Sequence, residues 1–479
     1  MLKKFVKAFS LNFCFFLGCV IIDLITSSHQ DWYRIEDEKM TSKTFFKYVI
    51  PTILAMWVFS IYTLVDGFFV AHFVGPEAFA AVNLAMPVTN ALFSFGILVS
   101  VGTSTRIGIN LGKDRVDKAN EIFSSVLFGS GLFALVTSIL LMVFIEPLAH
   151  FLGATGDLHG LVIDYLSLVL PFTFFFILSY ILEILVKVDG MPILSTIGVL
   201  SSALTNIILD YVFIRFFGWG IKGAAFATGL AQILSFVIFL RHFLARKGRL
   251  RILLIKPQLV SLVKAMKIGF GDFLTELSYS AILFFFNRNL LAIYGETGLI
   301  SYTVINYFSL LLTMTMSGIT QGSQPLFSLY YGKEDLGAIR KIFVSALATV
   351  FVASMIFFLP AQFLPSSLVQ IFIPKTERAA FDLAIYALRL YSISYLFLGY
   401  NILVSGMSAA LNKPRLGILI SLSRGFIFIF IFLHLLKALA PNFIWLAGSL
   451  AEVATLVLTI FSVLHLKKDL AKQGQVERL

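Results

Sequence analysis

The sequence predicts an all-α polytopic membrane protein: about twelve transmembrane helices in two six-helix lobes related by a parallel internal repeat. Three observations predict it. The 479 residues are 58% apolar, 15% aromatic and only 13% charged, with a mean hydropathy of +0.92, values outside the range of water-soluble domains. Apolar stretches long enough to cross a bilayer recur about twelve times. A shift of 220 residues lays one half of the chain on the other.

Composition also excludes several function classes. The two cysteines, Cys14 and Cys19, both lie near the start, so the body of the chain has neither a disulfide framework nor a cysteine metal site. The net charge of +11 does not imply nucleic acid, because the basic residues cluster in short loops between apolar spans. No glycine-rich phosphate loop, His-Glu-x-x-His or Gly-x-Ser-x-Gly pattern occurs. His72, His150, His159, His242, His434 and His465 are scattered at span ends without metal spacing. The chain is therefore not expected to be an enzyme or to hold a cofactor, and transport would draw on an ion gradient.

Residues 1–39 stand apart. Lys3, Lys4 and Lys7 before Phe9–Ile25 resemble a signal peptide. Cleavage there would place Lys43 and Lys47 outside, against the charge bias of all that follows. Glu36-Asp37-Glu38-Lys39 is necessarily encoded by purine-dominated codons, which can spell a ribosome-binding site ahead of Met40. We therefore read 1–39 as a mis-assigned extension and Met40 as the start.

From Met40 onward the spans fall near 48–73, 81–110, 120–145, 161–187, 192–216 and 222–243, an N-terminal lobe over 40–243. A basic linker, 244–265, carries Arg246, Lys247, Arg249, Arg251, Lys256 and Lys264. The C-terminal lobe, 266–466, has spans near 266–292, 297–331, 337–360, 380–410, 414–437 and 443–466, and a tail of 467–479 follows. With both termini and the even-numbered loops inside, about two dozen basic residues are cytoplasmic against about six outside. That distribution sets both termini in the cytoplasm of a prokaryotic inner membrane.

The repeat superposes Lys47 on Lys267, Gly75 on Gly295, Gly102 on Gly322, and Gly112-Lys113-Asp114 on Gly332-Lys333-Glu334. A slip of two residues then brings Pro192 onto Pro414. The offset covers six spans, an even number, so the halves share one orientation.

Charged residues inside spans are costly and tend to be functional. Asp66 is the sole acid of its span, among Trp57, Phe59, Ile61, Leu64 and Phe68. Asn206 and Asp210 are four residues apart on the fifth span, hence on one face, and Thr228 lies on the sixth. Two carboxylates, an amide oxygen and a hydroxyl suit a proton relay or an alkali cation; the competing reading is a hydrogen-bond cluster that only packs helices. The counterpart of Asp66 is Phe286, so the halves differ chemically. Glu276, Asn287, Gln321 and Gln324 in the second half and Asp189 in the first are candidates for coupling or substrate contact, and Arg424 with Glu452 is read as a structural ion pair. Gln321 and Gln324, with Pro325, are expected to break or kink the eighth span and line a cavity.

Tyr62-Thr-Leu-Val-Asp66-Gly-Phe-Phe-Val-Ala-His-Phe-Val-Gly75 resembles the first-helix signature of the multidrug and toxic compound extrusion (MATE) family. Val101-Gly-Thr-Ser-Thr105, Asn206-Ile-Ile-Leu-Asp210, Gln321-Gly-Ser-Gln-Pro325 and Arg424-Gly-Phe are similar to further motifs of its MepA-like branch. The resemblance covers Met40 to about Leu466. It implies a monomeric multidrug exporter in the lipid bilayer, antiporting small organic, often cationic, compounds against H⁺ or Na⁺. It also implies a cation site at Asp66, Asn206, Asp210 and Thr228, with the Ala224 carbonyl as a further ligand, and likens Asp189 to the family's acidic residue in the fourth-to-fifth loop. Gly271 departs from a proline often found in the seventh helix, and Glu276 comes about a turn earlier than the acidic residue some relatives use. A flippase for a lipid-linked amphiphile is the alternative within related folds, and an ion channel the alternative from another class.

Overall fold

The structure of the chain, a computed structural model, describes residues 40–476. The reading of 1–39 as an extension upstream of Met40, and the last residues of the tail, lie outside the described residues.

Among the described residues, eleven apolar helices are long enough to cross a membrane. They are α1 (Ser42–Val74), α2 (Pro76–Gly112), α3 (Val116–Val143), α4 (Leu158–Val188), α5 (Pro192–Phe216), α6 (Gly220–Leu244), α7 (Leu259–Gly332), α8 (Leu336–Phe363), α9 (Arg378–Ala410), α10 (Pro414–Leu439) and α11 (Pro441–Leu470). No strand occurs among the described residues. Local signals start several of them. The Thr41 hydroxyl caps α1 by accepting from Thr44 N at 3.2 Å, the Asp335 carboxylate caps α8 by accepting from Ala338 N at 2.8 Å, and prolines open α2, α5 and α10.

The seventh helix accounts for two spans. A straight helix of its 74 residues would be about 110 Å long, against a hydrocarbon core of about 30 Å. At Gly295 the backbone leaves helical space (φ 61°, ψ −147°) and the chain turns back on itself, a conformation that glycine adopts without a Cβ penalty. The two legs then pair. Tyr279 Oη donates to Asn306 Oδ1 at 2.9 Å, Phe286 stacks on Tyr302 with centroids 5.0 Å apart, and Gln324 Nε2 donates to Asp272 Oδ1 at 2.8 Å. The bundle therefore crosses twelve times.

The repeat is visible in the backbone. Asp114 and Glu334 both adopt φ 58°, and single 3₁₀ turns at Leu170–Phe172 and Ser392–Ser394 interrupt matching spans. The halves meet at the end that carries the Lys113 and Lys333 loops. A Cβ on Gly102 would lie 1.8 Å from the Ala265 carbonyl oxygen, and one on its neighbour across the contact, Gly269, 2.1 Å from the Leu98 oxygen. Repeat mates Gly112 and Gly332 also touch, which places the pseudo-twofold axis between them. Trp57, near the middle of α1, still reaches across, donating Nε1 to Thr315 Oγ1 at 2.9 Å.

Of the two outcomes expected at Pro325, a break or a kink, the structure excludes the break. The only non-helical dihedrals in that helix are at Gly295. Hydroxyls donate to backbone carbonyls around the proline, Thr320 Oγ1 to Met316 O at 2.9 Å, Ser328 Oγ to Pro325 O at 3.1 Å, and Ser323 Oγ to Ile319 O. Such hydroxyls and close neighbours let membrane helices carry proline.

The linker is a strap laid along α3. Arg251 N donates to Asn120 Oδ1, Leu253 N to Ser124 Oγ and Gln258 N to Ser125 Oγ, each at 2.8 Å.

The glycine contact gives a test. Gly102→Val is expected to hold the lobes apart at this end, lengthening the distance between spin labels at Ile109 and Leu329 relative to the parent protein. An unchanged distance distribution would show that the end is not closed by backbone contact.

Candidate functional site

Asp66 and Asp210 are brought together inside the N-terminal lobe. Each sits one turn or less before a π-helical segment, Val70–Val74 after Asp66 and Tyr211–Phe216 after Asp210. A third π segment, Ser423–Phe428, contains Arg424. Such wide turns recur at functional sites. The two carboxyl groups lie within side-chain hydrogen-bonding reach of each other. Asp210 is fully buried, although its place near the end of an apolar run also suited an interfacial position.

The hydrogen-bond pattern leaves oxygen atoms facing inward without donors. Asn206 Nδ2 donates to Thr228 Oγ1 at 3.3 Å, which fixes the amide. Asp66 Oδ1, Asn206 Oδ1 and both Asp210 carboxylate oxygens are buried without a hydrogen-bond donor. An unmade bond at a buried oxygen costs about 1–3 kcal/mol, more for a charged group. Four such oxygens on neighbouring residues suit a proton or a hard cation. Ala224 is buried one turn before Thr228 on α6.

Asp66 and Thr228 border a cavity of about 120 Å³, walled by Phe59, Tyr62, Phe93, Tyr165, Phe172 and Phe176. A smaller cavity of about 60 Å³ shares Phe59, Tyr62, Phe93, Phe176 and Gln232 with it and extends to Tyr180 and Glu183. Glu183 accepts from Ser195 Oγ at 3.0 Å and pairs with Lys187 Nζ at 2.9 Å, both charges inside the lobe. Sequence reasoning missed this pair. Their four-residue spacing on α4 was a readable signal, but Lys187 is close enough to the loop to pass as a loop lysine.

In the other lobe, Arg424 Nε donates to Glu452 Oε1 at 2.6 Å, and Asn401 Nδ2 donates to Glu452 Oε2 at 2.7 Å. Thr459 Oγ1 donates to Asn401 Oδ1 at 2.6 Å, completing a buried network. Glu276 is half-buried on the first leg of α7, within electrostatic reach of Arg424 and of Asp272 one turn earlier. Asp272, which sequence reasoning also missed, holds Gln324 and leaves Oδ2 without a donor. Gln321 is buried with Oε1 unpartnered, and Asn287 lies half-buried farther along the first leg. Asp189 lies elsewhere, its side chain fully buried against the strap: Oδ2 is 2.7 Å from His242 Nε2, and Oδ1 accepts from Arg249 N at 2.8 Å and Leu250 N at 3.0 Å.

The MatE family profile matches residues 51–212 and 270–435. Multidrug export protein MepA of Staphylococcus haemolyticus is 26% identical over 440 residues, covering 91% of this chain and 96% of that protein. Among solved structures, a MATE protein in complex with MaL6 superposes with a TM-score of 0.84 at 21% identity, covering 90% of this chain and 97% of that one. A MOP superfamily transporter from Pyrococcus furiosus gives 0.82 at 21% identity, covering 90% and 99%.

The Arg424 network gives a test. Glu452→Ala leaves a buried guanidinium without its carboxylate and is expected to cost about 3–5 kcal/mol, read as a lower melting temperature in detergent. The double variant Arg424→Met, Glu452→Met should recover most of that loss.

Proposed function

Because the chain belongs to the MatE family, we propose that it exports small organic compounds, cations among them, by antiport against H⁺ or Na⁺, with Asp66, Asn206, Asp210 and Thr228 as the coupling site. One observation carries this reading: four donorless oxygens, from two carboxyl groups and an amide, in an apolar lobe, with Asp66 among them bordering an aromatic-walled cavity. A proton or Na⁺ bound there relieves the repulsion between the carboxylates and lowers the cost of burying them. An organic cation drawn to the same negative field competes with the coupling ion. That mutual exclusion is the negative coupling antiport requires.

The lobes extend over 40–243 and 266–466 and act as the two rigid halves of an alternating-access cycle. The closed contact at Gly102, Gly112, Gly269 and Gly332 fits a state shut at the end where the basic loops put the cytoplasm. The same orientation puts both termini inside, and a single chain supplies the whole cavity, so the working unit is a monomer. A flippase for pyrophosphate lipids needs a cationic cavity, whereas the charge bordering this one is acidic.

The experiment is dye efflux from proteoliposomes under an imposed pH or Na⁺ gradient. Asp66→Asn is expected to reduce gradient-driven efflux to the level of protein-free liposomes while leaving the melting temperature within a few degrees of the parent. Full efflux in that variant would reject the assignment. Efflux in the parent under one gradient and not the other identifies the coupling ion.

A further inference from the structure

The histidines lack metal spacing in the sequence, yet the fold gathers two of them with a glutamate at the end of the N-terminal lobe opposite the Lys113 and Lys333 loops. After α3 the chain forms a short helix, Ile145–Phe151, which carries Glu146 and His150 on one face, four residues apart. Gly153 (φ 91°) and Gly156 (φ 56°) then reverse it, and His159 arrives at the start of α4. One ligand atom from each of Glu146, His150 and His159 lies within 4.8 Å of the other two. Glu146 Oε2 and His159 Nε2 are 3.2 Å apart, and the two imidazole rings have centroids 4.4 Å apart.

From this geometry we propose that Glu146, His150 and His159 form a Zn²⁺ site. Zinc binds imidazole nitrogen at about 2.0–2.1 Å and carboxylate oxygen at about 2.0–2.2 Å, so two ligands in a tetrahedral shell stand about 3.3 Å apart. The Glu146–His159 pair already has that separation. His150 is exposed, and one of its ring nitrogens already lies within 4.8 Å of the ligand atoms of the other two residues. His159 Nε2 is buried and has no hydrogen-bond donor or acceptor besides the facing carboxylate. The scaffold beneath is fixed: Ala149 and Ala154 are fully buried, and Leu148, Leu152, Leu158 and Leu161 pack on the lobe's apolar core. Backbone bonds from Ala154 N to Ala149 O at 3.0 Å and Gly153 N to His150 O at 2.9 Å tie down the turn.

The ligand set selects the metal class. Two imidazoles and one carboxylate suit Zn²⁺ and its divalent transition-metal neighbours, whereas Ca²⁺ and Mg²⁺ take oxygen donors and Cu(I) takes thiolates or thioethers. Three protein ligands leave the fourth position to water, as in exchangeable rather than closed structural sites. Bound zinc cross-links the short helix to α4 and so stabilises the folded lobe by mass action. Nothing in this rests on the transport reading.

The test uses the full chain in detergent, free of any polyhistidine tag and stripped with a chelator. Titration with ZnCl₂ is expected to give one bound ion per chain and a rise in melting temperature that MgCl₂ does not produce. His159→Gln and His150→Ala should each abolish both effects, and Glu146→Gln should weaken binding by at least about tenfold. His434→Ala, a histidine on α10 away from the site, should leave both unchanged. If His159→Gln fails to fold, the exposed His150→Ala decides. Absence of binding to the parent, or equal binding by His150→Ala, overturns the proposal.

Discussion

A negative charge held inside an apolar lobe is the constraint on which the N-terminal half depends. Asp210 is fully buried and Asp66 half-buried close to it, and a carboxylate at the centre of a membrane helix costs at least about 2.5 kcal/mol. Helix packing alone would be better served by leucine at both places. Among the described residues no arginine or lysine forms an ion pair with either carboxylate, and Asn206 gives its donor to Thr228 and leaves its oxygen unpartnered. Four oxygens short of donors are the feature on which the proposed cation site rests.

The other lobe shows the contrast within one chain. Its backbone follows the same plan, down to the φ of 58° at Asp114 and Glu334. Yet Phe286, the mate of Asp66, is fully buried, stacked on Tyr302 and edge-on to Tyr391. The charges that this lobe does bury, Arg424 and Glu452, satisfy each other and are tied to Asn401 and Thr459. The two copies of the scaffold thus differ in side-chain chemistry: Arg424 and Glu452 close a network in one, with Asp272 Oδ2 and Gln321 Oε1 left unpartnered beside it, whereas Asp66, Asn206 and Asp210 leave four oxygens without donors in the other.

Much of this was legible in the sequence because bilayer physics is simple to read. An apolar run of spanning length has few alternatives to a helix, and an acid inside it is conspicuous. The repeat carried the loops along with the helices, so Gly75 and Gly295 mark chain reversals in both halves. What stayed hidden depends on distance across the fold. Asp272 reads as a residue near a span's start, and only the return of the second leg brings Gln324 to it. Glu146 and His150 share a helix face, but His159 joins them through a turn that depends on two glycines with positive φ. The π turns beside Asp66, Asp210 and Arg424 have no sequence signature at all. Pro325 does not break its helix, because a proline inside a membrane helix is tolerated where neighbouring helices surround it.

The first helix links the two parts of the cycle. Val49 and Ile53 on α1 lie against Gly322 and Gly318 of the opposite lobe, Trp57 bonds to Thr315, and Asp66 follows nine residues later, about 14 Å along the axis. The same rod therefore forms part of the lobe contact and carries Asp66, the carboxylate proposed for coupling. Interfaces packed at backbone distance do not deform gradually; they are made or broken. A cation arriving at Asp66 changes the energy of α1 at one end, where a π turn gives the backbone an alternative hydrogen-bond register. The other end of α1 lies in the lobe contact, which the proposed cycle would make and break. For such a rod to transmit the change, the ion must bind the two states with different affinity, and the donorless oxygens around Asp66 are where that difference arises.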